Sequence, residues 1–235
     1  MSKETEPKPT EIEIKYRLES AKSLLAVETA LGIQSSTQRR QVLRQVNYFF
    51  DTKDFLLKKA NLALRLRQEN EQFILCAKGT ATNGPKTPKS AATRFEYEEK
   101  ISKALAMQML ADKVSPVQKL EEQTDKLDPA SKTRLFLLGR IGEVAKQKSL
   151  RVVGSFTNIR TCLPIRVNGQ VLTLELDETT FPGHVIHYEV ELELPQDSDH
   201  ELAERVLCKL FDKAGVKYSP SEGKSDRLFK MLKAQ

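Results

Sequence analysis

Hydrophobic and polar positions change period repeatedly along this 235-residue chain, and each change marks an element. Glu11-Ile12-Glu13-Ile14-Lys15 alternates strictly. In a strand over about 11–18, Glu11, Glu13 and Lys15 therefore take one face, and Ile12, Ile14 and Tyr16 the other. Leu24, Val27 and Leu31, with Leu25 alongside, then give a helical stripe that stops near Gly32. Strand patterns follow at 46–51, at 62–68 and, across the Glu69-Asn70-Glu71 turn, at 72–78. In the second of these, Leu62, Leu64 and Leu66 alternate with Ala63, Arg65 and Arg67. Residues 79–93, rich in Gly, Pro, Thr and Lys, read as a mobile loop before Arg94-Phe95-Glu96-Tyr97-Glu98 alternates again.

From about 102 to 148 the spacing is helical (Leu105, Met109, Leu110; Leu135, Leu138, Ile141) and broken by Pro116 and Pro129, which predicts a helical insertion. Strands resume near 151–156, 158–167, 170–178 and 185–194, with Asn168-Gly169 as a hairpin signal. Ser198-x-x-Glu201 predicts a capping box opening a helix with Leu202, Val206, Leu207 and Leu210 on its apolar side. The stretch from Ser221 carries Lys224 and Arg227 beside an apolar Leu228/Met231/Leu232 patch. There is no internal repeat and no sign of a second boundary, so 11–235 is expected to be one domain. Residues 1–10, rich in Lys, Glu and Pro, predict a disordered tail and not a signal peptide.

Reading every strand at period two separates the chain into two kinds of surface. One phase holds Ile12/Ile14, Leu64/Leu66, Phe95/Tyr97, Leu174/Leu176 and Val190/Leu192/Leu194. The other holds Glu11/Glu13/Lys15, Arg65/Arg67, Lys78, Arg94/Glu96/Glu98, Arg160, Glu175/Asp177 and Glu189/Glu191/Glu193. Amphipathic helices can cover the first. The second is nearly all charge, where a solvated sheet face would carry mixed Thr, Ser, Lys and Gln. An α+β fold is expected, with a β-barrel that is apolar outside under helices and charged within. The competing arrangement is an open antiparallel sheet with one solvated face.

Composition narrows the chemistry. A net charge of +6 suits an acidic small molecule but also nucleic acid or nothing in particular, so charge alone decides little, and it is the motif series, not the charge, that makes nucleic acid an unexpected partner. No apolar run reaches the roughly 20 residues of a membrane helix, so no membrane is expected. Cys76, Cys162 and Cys208 are odd in number and far apart, which points to a reducing, cytoplasmic setting and not a disulfide framework. Three histidines without zinc spacing argue against a zinc site, and His184 and His187 read as loop residues. Carboxylate pairs on several strands are hard oxygen ligands for Mg²⁺ or Mn²⁺, and Arg/Lys pairs on others are donors for polyphosphate oxygens. Acids for metal facing bases for phosphate is what phosphoryl transfer requires.

The motif series resembles the CYTH superfamily, the triphosphate tunnel metalloenzymes. Glu11-x-Glu13-x-Lys15 matches its ExExK signature, Tyr48-Phe49-Phe50-Asp51-Thr52 is similar to its YFDT segment, and Leu64-Arg65-Leu66-Arg67 to its LRxR strand. Lys78, Arg94-x-Glu96, Glu175-x-Asp177, Glu189-x-Glu191-x-Glu193 and Lys224-x-x-Arg227 follow in family order. The resemblance implies an eight-stranded antiparallel β-barrel tunnel with flanking helices that binds a triphosphate and a divalent metal. The look is closest to stand-alone inorganic triphosphatases.

By that resemblance Glu11, Glu13, Glu175, Asp177, Glu189 and Glu191 are expected to hold Mg²⁺ or Mn²⁺. Lys15, Arg65, Arg67, Lys78, Arg94, Arg160 and Lys224 are expected to hold phosphate, and Glu13, Lys15 and Glu191 to be catalytic. Glu193 and Glu98 stand as further acids or surface charges, and Arg227 as a substrate contact or a pin for the last helix. Cys76 is expected to be a buried, inert thiol. The implied reaction is attack of water on a terminal phosphoryl group of inorganic triphosphate, with pyrophosphate leaving and nucleoside triphosphates used more weakly. Adenylate cyclase, thiamine triphosphatase and non-catalytic polyphosphate or nucleotide binding are the alternatives, in a monomer or homodimer.

Overall fold

The computed structural model describes residues 11–32, 40–80, 91–117, 129–145, 148–195 and 198–234, with the backbone alone at 11, 91–94 and 129–131. The order is β1 (Glu11–Leu18), α1 (Ala21–Ala30), β2 (Gln41–Asp51), α2 (Leu56–Lys59), β3 (Leu62–Glu69), β4 (Gln72–Thr80) and β5 (Ala91–Ile101). It continues with α3 (Lys103–Leu110), α4 (Pro129–Ala145), β6 (Arg151–Val167), β7 (Gln170–Phe181), β8 (Val185–Leu194), α5 (His200–Ala214), β9 (Tyr218–Pro220) and α6 (Lys224–Lys233). The fold is α+β, with six helices among the described residues and one nine-stranded antiparallel sheet in the order β5-β4-β3-β2-β6-β7-β8-β1-β9. A further ladder joins β1 to β5, from Glu11 opposite Arg94 to Ile14 opposite Ala91.

The apolar phase of the strands lies under helices in two groups. Ile12, Ile14, Leu174, Leu176, Val190 and Leu192 pack with Val27 of α1 and Ala203, Leu207 and Phe211 of α5. Leu62, Leu64, Leu66, Leu75 and Phe95 pack with Leu57 of α2, Met109 of α3 and Leu137, Leu138 and Ile141 of α4. Each fully buried leucine among them contributes about 1.5–3 kcal/mol. Removing one face of every strand from water in this way commits the opposite, charged phase to a common surface.

Local chemistry explains the connections. Asn168 and Gly169 both take positive φ (49° and 78°), the two-residue turn whose twist suits a hairpin. Asp51, fully buried, ends β2 and starts α2. Its Oδ1 accepts from Thr52 N at 2.7 Å and Leu57 N at 2.9 Å, and its Oδ2 from Lys58 N at 3.0 Å. Phe55, before α2, is left-handed and gives no side-chain cap, so Asp51 replaces it. Asp51→Ala strands these amides and is expected to cost about 2–4 kcal/mol, read as a lowered midpoint in denaturant unfolding.

Several expectations are corrected. The strands near 151–156 and 158–167 are one 17-residue strand, β6, because its pairing with β2 runs unbroken from Gly154 to Cys162; the register shift lies earlier, between Val152 and Gly154 opposite Phe49/Phe50. Residues at both ends of the 79–93 loop belong to β4 and β5, and the loop's centre lies outside the described residues, as do the 1–10 tail and residues 118–128. The cap of α5 is Asp199 and not Ser198, its carboxylate accepting from Leu202 N at 2.9 Å. Leu25 and Leu135 are exposed, while Leu137 takes the buried place on α4. His187 is no loop residue: it lies in β8, buried beside Arg227 Nη1 at 3.0 Å.

Candidate active site

The charged phases of β1 to β8, with the first turns of α6, line one cavity of about 620 Å³. Alternation puts Glu13 and Lys15 there from β1, Arg65 and Arg67 from β3, Lys78 from β4, and Glu96 and Glu98 from β5. Arg160, Glu175, Glu191 and Glu193 come from β6, β7 and β8, and Lys224 from α6. Among the described residues, seven cationic and eight acidic side chains line it. A ligand of one sign would meet as much repulsion as attraction, so this lining matches a ligand that brings both signs.

Glu191 is the hub, only 2 % exposed. Its Oε1 accepts from Lys224 Nζ at 2.5 Å and Lys15 Nζ at 3.2 Å, and its Oε2 from Arg160 Nη2 at 2.7 Å. Lys15 also donates to Glu13 at 2.6 Å, and Lys224 lies 2.7 Å from Asp177. Arg160 grips Asp177 with two bonds, Nε at 2.9 Å and Nη2 at 2.7 Å, and pairs with Glu175 through Nη1. Across the cavity Lys78 donates to Glu96 at 2.6 Å and Arg67 to Glu98 at 2.9 Å, with Arg65 3.5 Å from Glu98.

These pairings set the charge states. Burial pushes Asp177 upward, but Arg160 and Lys224 outweigh it and hold the carboxyl below its ordinary value. Glu191 is likewise pushed up by burial and held well down by Lys15, Lys224 and Arg160. Glu175 is the exception. Burial, reinforced by neighbouring Asp177, Glu193 and Glu191, lifts it to about 8 against the pull of Arg160. It is a carboxylate short of positive charge.

Glu175, Asp177 and Glu191 each offer a carboxylate oxygen within 4.8 Å of the others. Three hard oxygens in that space, one of them short of cation, fit Mg²⁺ or Mn²⁺. A second trio, Cys76, Glu96 and Glu98, is equally close, but Lys78, Arg65 and Arg67 already neutralise it. Burial pushes the Cys76 thiol up, which leaves it a poor metal ligand and an inert thiol.

The expected residues thus meet in one place, with distinctions. Asp177 is fully buried, lies outside the cavity lining and meets the site through Arg160 and Lys224; Glu189 is likewise fully buried and outside the lining. It is bound by Arg227, by Ser221 Oγ at 2.5 Å and by Lys224 at 3.4 Å. Arg227, buried between Glu189 and His187, pins α6. The side chains of Glu11 and Arg94 lie outside the described residues. Alternation left several contributors unrecognised. Asn158 donates to Asp177 at 2.8 Å and to Gln45 at 3.1 Å, and accepts from Thr179 at 2.8 Å. It shares the phase of Arg160, which was the available signal. Lys58 and Asp226, an ion pair at the cavity wall, sit on helices where a two-residue period is silent.

An antiparallel sheet whose paired acids and bases converge on one cavity defines a polyvalent, mixed-charge binding protein. The CYTH domain model matches residues 9–229, and the chain belongs to that family, the triphosphate tunnel metalloenzymes. Among solved structures it is similar to HpAC1 from Hippeastrum, described as an adenylyl cyclase candidate that reveals a dominant triphosphatase activity. The two share 27% identity over 94% of this chain and 95% of that one, with a TM-score of 0.72. It also resembles an adenylate cyclase candidate of Bacillus halodurans (22% identity, 95% of this chain and 100% of that one, TM-score 0.58). A third likeness is to the PH1819 protein of Pyrococcus horikoshii OT3 (19%, 95% and 99%, 0.51); these two speak for the fold alone. No curated protein matches the chain. No helix among the described residues is long and apolar enough to cross a membrane.

Proposed function

We propose that this chain is a divalent-metal-dependent triphosphatase that hydrolyses inorganic triphosphate to pyrophosphate and phosphate in the cytoplasm. The observation that carries the reading is the lining of seven cations and eight acids, which suits a polyanion accompanied by metal. In this reading the β1–β5 ladder closes β1 to β8 into an eight-stranded tunnel, within a single 11–235 domain into which 102–148 is inserted.

Glu175, Asp177, Glu191 and Glu13, joined by Glu11, would hold Mg²⁺ or Mn²⁺. Lys15, Arg65, Arg67, Lys78, Arg160, Lys224 and Arg94 hold phosphate oxygens, and Glu189 positions Lys224. When bound, the metal supplies charge neutralisation to the phosphoryl oxygens and lowers the pKa of water. Arg160 and Lys224 pair with the acids. Polyphosphate oxygens would compete for both cations, and the carboxylates so freed are the ones that would hold metal. The two ligands therefore favour one another. Lys15 and Lys224, which converge at Glu191, would then stabilise the charge that builds on the transferring group and on the departing pyrophosphate.

The cyclase alternative needs groups that recognise a base. The buried amides Gln45 and Asn158 are instead consumed by Glu69, Asp177, Thr179 and each other. The triphosphatase activity described for HpAC1 supports the same preference. Incubation with inorganic triphosphate, ATP and thiamine triphosphate, with Mg²⁺, Mn²⁺ or chelator, decides the matter. Phosphate released fastest from inorganic triphosphate is the expected result. Cyclic AMP as the main product overturns the reading, and tight binding without product leaves a sensor.

The raised carboxyl of Glu175 gives a pH signature. Its folded value of about 8 lies above the ordinary 4.5, so the folded, ligand-free protein holds an extra proton between those values and loses stability as pH rises through them. Metal needs the ionised form, so binding releases that proton and tightens up to about pH 8. Calorimetry in two buffers of different ionisation enthalpy, at pH 7, should detect the release.

A further inference from the structure

Helices cover the outer face of the sheet in two groups, and a strip of β2, β6, β7 and β8 lies between them. The group of α1 and α5 reaches the strip at Tyr188, and the group of α2, α3 and α4 reaches it at Tyr48. The register of the strands lays out its rows, since residues directly opposite one another point to the same face. Arg44 stands opposite Ile159, Ile159 opposite Glu178, and Glu178 opposite Tyr188. In the next row Val46 faces Thr157, Thr157 faces Thr180, and Thr180 faces Ile186. Among the described residues nothing closes over this strip: Val42 stays 37% exposed, Ile159 39% and Ile186 45%. Scattered exposed apolar side chains are ordinary, but β-branched residues gathered on one bare sheet face make a contiguous patch.

The charges on the strip say what fits it. Arg44 is exposed and Glu178 half-buried, and they flank Ile159 on either side, about 10 Å apart across two strand spacings. We infer that this strip is the contact surface of a homodimer whose two-fold axis runs along β6 at Ile159. Rotation about that axis exchanges the two flanks. Arg44 of each protomer then lies over Glu178 of the other, and the two Ile159 side chains meet in the middle. An axis at right angles to the strands would set Arg44 against Arg44 and Glu178 against Glu178, so charge selects the first arrangement. It gives the aligned packing of two sheets about 10 Å apart, a gap that an Arg and a Glu span from opposite sides. A second copy supplies the reversed row of acid, apolar group and base by symmetry alone.

Four strands at about 4.8 Å and positions 42–46 at about 3.4 Å give a face of roughly 19 by 17 Å, at the small end for a specific interface. Association is therefore expected to be weak, with a Kd of about 1–100 µM. Arg44, Ile159 and Glu178 are absent from the cavity lining, and the inference does not rest on the triphosphatase reading. Sedimentation velocity of the full chain, from about 1 to about 500 µM, tests it. Wild type should pass from monomer to dimer over that range. Ile159→Glu sets two like charges against each other at the axis and should raise Kd at least about a hundredfold. Arg44→Glu should raise it at least about tenfold, and Arg44→Glu with Glu178→Arg should return it to within about threefold of wild type. The charge exchange reads the pairing even where Ile159→Glu disturbs β6. A wild type that stays monomeric, a dimer indifferent to Ile159→Glu and Arg44→Glu, or a double variant no better than Arg44→Glu overturns the proposal.

Discussion

Glu191→Gln is expected to lower turnover of inorganic triphosphate by about a hundred- to a thousandfold, the scale of losing one preorganised charge contact. The side chain keeps its size and loses its charge. Lys15, Lys224 and Arg160 all converge on it, so the substitution frees three cations at once and removes a corner of the Glu175–Asp177–Glu191 trio. Divalent-metal affinity should fall with turnover. Steady-state kinetics over a range of Mg²⁺ concentrations, below the melting temperature, reads both effects. A variant within a few-fold of wild type would remove Glu191 from the centre of the account.

The second large effect is on stability. Arg160 is the cation that Glu175, Asp177 and Glu191 share. Arg160→Met keeps the bulk of the side chain and leaves the acids undercompensated, a loss of about 3–5 kcal/mol. For a chain of this length that is a fall in Tm of roughly 6–20 °C. Two features distinguish this from ordinary core damage. Added Mg²⁺ should recover part of the loss, because a bound cation replaces the missing guanidinium. The loss should also be smaller at pH 5 than at pH 8, because Glu175, already lifted to about 8, is then protonated. A fall that is indifferent to metal and to pH would contradict the ion-pair origin.

The reach of sequence reasoning follows from which forces are periodic. Strand alternation is a backbone property, so Glu13/Lys15, Arg65/Arg67, Arg160, Glu175/Asp177 and Glu191 were legible as one surface before any contact was known. The Asn168-Gly169 turn was legible because few residues accept two positive φ values in succession. What escaped depends on partners distant in the chain. Glu189 has the same phase as Glu191, but Arg227 and Ser221 bind it away from the cavity. Lys58 meets Asp226 across 168 positions. Phe49 and Phe156 were hidden in plain alternation, because they share the inward phase of Gln45 and Arg160 yet are core residues, packed with Phe229 of α6. Asp51 was read only as part of a motif, and its work of capping α2 needed the backbone geometry.

This cavity is expected to hydrolyse a triphosphate with a divalent metal held by its carboxylates. Phosphorus NMR of inorganic triphosphate incubated with the protein tests it most directly. With Mg²⁺ or Mn²⁺ the substrate signals should give way to pyrophosphate and phosphate in equal amounts, and chelator should stop the conversion. Triphosphate left intact with either metal, or consumed equally in the presence of chelator, would contradict the account.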